Sequence, residues 1–311
     1  MSPDTLDDSV AALLRGAVDL HGRGSLSSGP STLDLLDVAW DGAAAGLRAI
    51  VFTDRHFSPA PLVQTLRRHE FADSATALLS GIELNNTVGG LNPYAVEHEL
   101  MLGGRLISMP TISAANHIRQ VARARAAQPR NARMPQPALE VLDNWGQPRD
   151  AVKEILDIIA SHDAVLASGH LHVSEIWPLF EEARRRGVSR LLVTHASFLP
   201  DIGMAEMRDL AGMGAFVEQC ADRGVDCLGG QTRTDALMAF ITAASVSQTI
   251  LVSRRGRMGN HSVHQRFGAA LQSCLDLGYQ PAEIRQMISD NAIRLLGLSP
   301  VDLSPRGGTQ A

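Results

Sequence analysis

Aromatic residues are scarce in this chain: two Tyr, three Trp and eight Phe make up 4% of its 311 residues. That leaves little with which to stack nucleobases or to build the flat walls that hold sugar rings. A positive excess is missing as well, because the formal net charge is −5 and no global field exists to collect phosphodiester backbones. Nucleic acid is therefore excluded as the expected partner. Cysteine is limited to Cys220, Cys227 and Cys274, an odd and scattered set without CxxC spacing. It argues against a disulfide framework and against a thiolate zinc site, and it fits a reducing cytoplasm. No apolar run approaches the ~18 residues of a membrane span. The opening MSPDTLDDSV is acidic and polar where a secretory signal would carry positive charge and then an apolar stretch. The expectation is a cytoplasmic protein without a membrane partner, whose ligand is small and polar.

What is present is a large supply of core. Hydrophobic residues reach 45% against 20% charged, which excludes a disordered or fibrous chain. Short runs rich in Val, Ile and Leu recur, each ending in a polar cluster and each followed by a helical pattern. Eight can be counted: 16–21 (GAVDLH), 47–54 (LRAIVFTD), 76–85 (TALLSGIELN), 104–111 (GRLISMPT), 164–170 (AVLASGH), 190–195 (RLLVTH), 215–220 (AFVEQC) and 249–254 (TILVSR). Helices are predicted at 31–45, 61–70, 95–102, 149–161, 173–186, 205–213, 233–244 and 263–277. Gly46, Gly103, Gly187, Gly214 and Gly278 stand where helices should stop. Unbroken apolar runs suit parallel strands buried on both faces, and eight βα units close a (β/α)8 TIM barrel of the α/β class. One such domain is expected over residues 1–303, with 304–311 as a frayed tail.

Long loops are expected after strands four and seven. Residues 113–148 hold Arg119, Arg123, Arg125, Arg130 and Arg133 with four prolines; they read as a helix followed by an irregular flap, either a lid or a solvated basic cover of the rim. The glycine-rich 222–234 is the second candidate. GGLNP at 89–93 is a turn that can line a site with backbone amides, while GGQTR at 229–233 lacks the spacing of a nucleotide-binding loop. His261 and His264, beside Arg254, Arg255 and Arg257, read as a solvated loop.

In such a barrel the side chains at the carboxyl ends of the strands share one cup. The residues there are Asp19, His21 and Arg23, then Thr53, Asp54, Arg55 and His56, then Glu83 and Asn85, then Thr111. His170 and His172, His195, Glu218, and Ser253 with Arg254 complete the ring. A lone histidine would be read as a hydrogen-bonded core residue. Histidine at three strand ends, in DLHG, SGHLH and VTHA, makes His21, His170 and His195 candidates for one shared site.

The segments DLHGRGSLSSGPS, LRAIVFTDRHFSP, LNNTVGGLNPYAVEHEL, MPTISAANH, ASGHLHVSE, VTHASF and DNAIRLLGL together resemble successive blocks of a bacterial family of amidohydrolase-like proteins. That family is defined by its similarity to metal-dependent hydrolases, and its activity is largely unassigned. The resemblance implies an amidohydrolase-like barrel and hydrolysis of a C–N or C–O bond. It also implies an HxH pair on strand one, Lys then His after strand two, histidines after strands five and six, and an aspartate after strand eight. This chain departs from that pattern with His21-Gly22-Arg23, with Thr53-Asp54-Arg55 ahead of His56, and with Ser253-Arg254 where Ser-Asp is the rule.

Arginine has no lone pair to donate and would repel a cation, so a binuclear site is not expected. Either no cofactor or one divalent metal ion, zinc by preference, is expected, with His21, His170 and His195 as its provisional ligands. Guanidinium groups match carboxylate and phosphate oxygens, so the substrate is expected to be a small anion. Arg23, Arg55, Glu83, Asn85, His172, Ser253 and Arg254 would bind it, and His21, His56, His170, His195 and Glu218 would carry the acid–base work. The competing reading pairs the arginines with Asp19, Asp54, Glu83 or Glu218 as space filling. The competing functions are a metal-independent lyase, decarboxylase or isomerase, and a catalytically silent anion binder. Homo-oligomerisation is expected from the general frequency of symmetric assemblies.

Overall fold

The computed structural model describes residues 3–23, 33–124, 137–194, 202–220, 233–252 and 262–298. Strands β1 (Val18–Gly22), β2 (Ala49–Asp54), β3 (Ala77–Glu83), β4 (Leu106–Ser108), β5 (Val165–Ala167), β6 (Arg190–Val193), β7 (Phe216–Cys220) and β8 (Thr249–Val252) form one sheet in sequence order. Every pairing is parallel, and β8 returns against β1 to leave a nearly closed barrel. Seven strands fall within the apolar runs of the sequence, and β1 passes the end of its run by one residue.

The helices are α1 (Pro3–Leu14), α2 (Leu35–Ala44), α3 (Ala60–Arg68), α4 (Pro93–Met101), α5 (Ala115–Ala124) and α6 (Asp150–Ser161). They continue with α7 (Val173–Arg185), α8 (Met204–Gly212), α9 (Arg233–Ala244), α10 (Val263–Asp276), α11 (Pro281–Arg285) and α12 (Asn291–Leu296). The five glycines read as helix stops all have positive φ. Of the two insertions, residues 125–136 and 221–232 lie outside the described residues, as do 299–311. No helix among the described residues is long and apolar enough to cross a membrane.

Strand alternation divides the core. Val18, Leu20, Ala49, Val51, Leu79, Leu106, Val165, Ala167, Leu192, Ile250 and Val252 fill the barrel together with Ala292, Leu295 and Leu296 of α12. The C-terminal helix thus plugs the barrel floor, opposite the carboxyl ends. The seam is stapled from the same side: Ser289 Oγ donates to the Gly16 carbonyl at 2.7 Å, and Asn291 Nδ2 donates to the Thr249 carbonyl at 2.6 Å and the Val246 carbonyl at 2.8 Å. With its floor packed, the barrel can take a ligand only at the other end.

The same alternation gives two glutamates opposite fates. Glu83 follows Leu79 and Gly81 on the inner face of β3, whereas Ser80, pointing outward, donates to Glu99 Oε1 of α4 at 2.6 Å. Ser58 Oγ donates to Glu99 Oε2. Burial pushes the Glu99 carboxyl above the ordinary value, and the two hydroxyls and His98 do not offset it. A raised carboxyl binds its proton more tightly in the folded state, so Glu99 opposes folding as pH rises above the carboxylate range. Glu99→Gln is expected to match or exceed the parent stability by about 1 kcal/mol near pH 7, with the advantage vanishing towards about pH 4. Denaturant midpoints across that range check it.

Candidate active site

The cup begins with an irregularity in β1. Asp19 pairs with Ile50 and Gly22 with Phe52, so two residues of β1 stand where one of β2 would. This is a bulge, and its effect is to turn two successive residues inward: Leu20 into the barrel core and His21 into the cup above it. Gly22 is required here, because a Cβ would stand 2.4 Å from Ile50 Cγ2. Asp19 Oδ1 accepts the backbone N–H of His21 at 2.9 Å, and Asp54 Oδ1 accepts that of His56 at 2.7 Å. The same short turn therefore holds the ends of β1 and β2.

Across the cup, His21 Nε2 lies 3.0 Å from Glu218 Oε2 on β7. Burial would depress the imidazole, but the Glu218 charge and hydrogen bond outweigh it; Arg23 opposes and Asp19 assists, leaving His21 above its ordinary 6.5. The pair thus favours the protonated ring, and the Glu218 side chain is only 1% exposed. A second pair crosses beside it, in which Arg23 Nη2 donates to Glu83 Oε1. Thr111 Oγ1 donates to Glu83 Oε2 at 2.6 Å. Burial would raise Glu83, yet the charge of Arg23, the Thr111 hydroxyl and the charges of Arg55 and His21 hold it below the usual carboxylate range.

Five residues chosen from the sequence, His21, Arg23, Arg55, Glu83 and Glu218, are thus brought together from four strand ends. Their pairing is not the one favoured for anion binding: Arg23 is matched by Glu83, and Glu218 meets a histidine rather than an arginine. Arg55 is exposed at the rim. Thr53, on the inner face of β2, keeps a buried hydroxyl with no partner among the described residues, which a substrate or water would satisfy.

Two residues expected to bind substrate act as braces. Asn85 is fully buried and uses its whole amide: Oδ1 accepts from Thr111 N (2.9 Å) and Ser113 N (3.1 Å), while Nδ2 donates to Thr111 Oγ1 (2.9 Å) and the Arg55 carbonyl (3.1 Å). No donor or acceptor capacity is left for a ligand. His172 caps α7, its Nδ1 accepting from Ser174 N at 3.1 Å while its own N–H donates to Glu175 Oε2 at 3.0 Å.

His170 follows Gly169, whose φ of +60° and whose approach to the Met109 carbonyl (2.3 Å for a Cβ) admit no side chain. Its backbone N–H donates to the Pro110 carbonyl at 3.0 Å, one residue from the Thr111 that holds Glu83. The ring faces another histidine. Its Nδ1 faces the Nδ1 of His117, on α5, at 2.9 Å, a residue that the sequence reading passed over. His195, Ser253 and Arg254 lie outside the described residues.

At β1 the Arg23 guanidinium has no lone pair to donate to a cation and His21 Nε2 is engaged by Glu218. Among the described residues no group of three or more His, Cys, Asp or Glu is placed to hold a metal ion.

A sequence family described as "Family of unknown function (DUF6282)" matches residues 16–218. No curated protein matches the chain. Among solved structures, an amidohydrolase from Pseudomonas aeruginosa is similar with a TM-score of 0.63 and 12% identity over 95% of this chain and 98% of that one. A lactonase from Listeria monocytogenes is similar with a TM-score of 0.55 and 11% identity over 92% and 95%. An N-acetyl-D-glucosamine-6-phosphate deacetylase from Mycobacterium smegmatis is similar with a TM-score of 0.54 and 13% identity over 91% and 76%. These likenesses establish the fold, an eight-stranded parallel barrel shared with these structures.

Proposed function

Because the chain belongs to this family of unknown function (DUF6282), its reaction has to be read from its own cup, and we propose that it hydrolyses a C–N or C–O bond in a small carboxylated or phosphorylated substrate, with at most one metal ion. The observation that carries this reading is the buried His21–Glu218 pair at the strand ends. Glu218 holds the Nε2 edge, so the Nδ1 proton of the imidazolium is the one His21 has to give to a leaving group, and the neutral ring left behind is a base. Arg55 at the rim meets the anion, backed by Arg23. Arg254, Ser253, His56 and His195 join them on the sequence alone. The phosphorylated compound in the name of the similar deacetylase fits an anionic substrate.

A metal-independent elimination, decarboxylation or isomerisation is the second reading, favoured by the raised His21, whose proton Glu218 helps to hold without a metal. Calorimetric screening of lactones, amides and phosphate esters of small dicarboxylates, followed by turnover in 18O-labelled water, separates the two. Hydrolysis puts the label into the product; the alternatives do not. Arg55→Met and Arg254→Met are each expected to weaken anion binding at least about tenfold. Anion binding unchanged in both variants would overturn the substrate class, and binding without any turnover would leave a silent anion binder.

A further inference from the structure

We propose that Thr53 on β2 and Arg23 at the end of β1 together hold one carbonyl oxygen of the substrate, the hydroxyl and the guanidinium donating to it side by side. Thr53 follows Ala49 and Val51 on the inner face of β2 and is only 6% exposed. Its Oγ1 has no hydrogen-bond partner among the described residues. Buried hydroxyls are bonded almost without exception, so one left unpaired at the strand ends marks a position kept for a ligand. The register shows what stands beside it. Gly22 pairs with Phe52, which makes Arg23 and Thr53 the next residues of neighbouring strand ends, both on the inward side. Arg23 then reaches Glu83 on β3. Since β2 lies between β1 and β3, its side chain has to cross the end of β2, where Thr53 stands. On the other flank Thr53 pairs with Gly81, which brings no side chain to bond it.

The kind of ligand follows from the donors. Both Glu83 oxygens are engaged, Oε1 by Arg23 and Oε2 by Thr111. Arg23 spends one of its N–H groups on Glu83 and makes no other hydrogen bond among the described residues, so donors remain beside the Thr53 hydroxyl. Such a place suits an acceptor. Because Glu83 already balances the Arg23 charge, that acceptor is an uncharged oxygen on arrival, unlike the anionic group that Arg55 meets at the rim. Donors fixed around it bind it more tightly as negative charge gathers there, which serves hydrolysis and the elimination or decarboxylation of the second reading alike. His21 shares the end of β1 with Arg23, so the held carbonyl lies beside the proton that its ring has to give.

Thr53 has this role only if the cup is the substrate site proposed above, and two readouts keep the two failures apart. The first needs no ligand. Thr53→Val removes the hydroxyl at nearly constant shape and should raise the urea midpoint above the parent's, because an unmet buried O–H burdens the folded state. A midpoint at or below the parent's would mean that the hydroxyl is bonded without a ligand, and would overturn the role whatever the substrate. The second is calorimetry on the full-length protein with glutarate and 2-oxoglutarate, which differ by one carbonyl oxygen. The parent should bind the oxo acid at least about tenfold more tightly. Thr53→Val should lose that margin at unchanged glutarate affinity, and Thr53→Ser should keep it. Equal affinity of the parent for the two acids, or a margin intact in Thr53→Val, would overturn the oxygen site and leave the anionic cup standing. Loss of glutarate as well in Thr53→Val would put the hydroxyl on the anion and overturn it too. A parent that binds neither acid counts against the anionic substrate, and the midpoint then decides on Thr53 by itself.

Discussion

Glu83→Ala is expected to cost about 3–5 kcal/mol of stability, a large share of what a domain possesses. The substitution leaves the Arg23 guanidinium within the cup without its counter-charge and deprives the Thr111 hydroxyl of its acceptor. Arg23 keeps 19% of its side-chain exposure, so water recovers part of the loss and the lower end of the range is the better expectation. Glu83→Gln retains an acceptor for Thr111 and should lose less. Replacing both partners, as in Arg23→Met with Glu83→Leu, should restore most of the stability, because the desolvation of two charges disappears with them.

The pH dependence carries a sign of its own. The folded carboxyl is held below its ordinary range, so its contribution is complete above the unfolded value of about 4.3 and is lost as pH falls through the depressed folded value. The gap between parent and Glu83→Ala should therefore close in acid. Denaturant midpoints at several pH values check this; parent-like stability of Glu83→Ala at neutral pH would show that the pair contributes nothing.

The second large effect concerns the other pair. Glu218→Gln removes the group that raises His21, leaving burial and the Arg23 charge to depress the imidazole against Asp19. In the parent, His21 is raised above 6.5. Its stabilising contribution is thus complete below that value and is lost as pH rises through the folded value, on the alkaline side. Glu218→Gln should abolish this decline. If the proposed chemistry holds, it should also lower kcat/KM by about 10²- to 10⁴-fold, the usual weight of a positioned acid or base. Loss of the alkaline decline with full retention of activity would separate the structural role of the pair from the catalytic one.

Much of this architecture is legible in the sequence, because parallel barrel strands are apolar on both faces and end abruptly in polar residues. LRAIVFTD and TILVSR announce themselves by composition alone. The residues that escape do so for identifiable reasons. The bulge at Leu20–His21 depends on where β2 lies, which no local pattern records, although the repeated Asp-x-His of DLH and DRH marks both strand-end turns. His117 sits in a stretch whose five arginines draw attention to charge and away from the one imidazole among them. Asn85 looks like a ligand-binding residue because it is polar at a strand end; only the hydrogen-bond geometry shows its amide to be saturated. The helix α1 and the floor-plugging α12 bury one apolar stripe each, a weaker signal than a strand buried on both sides.

A single measurement bears on the centre of the account, the cup as a pair of crossed ion pairs. Histidine side chains labelled with 15N are titrated by NMR in the parent, in His21→Gln and in Glu218→Gln. A ring titrating above 6.5, absent from the first variant and moved below that value in the second, is the predicted result. His21 titrating at or below 6.5 in the parent, indifferent to Glu218, would contradict it.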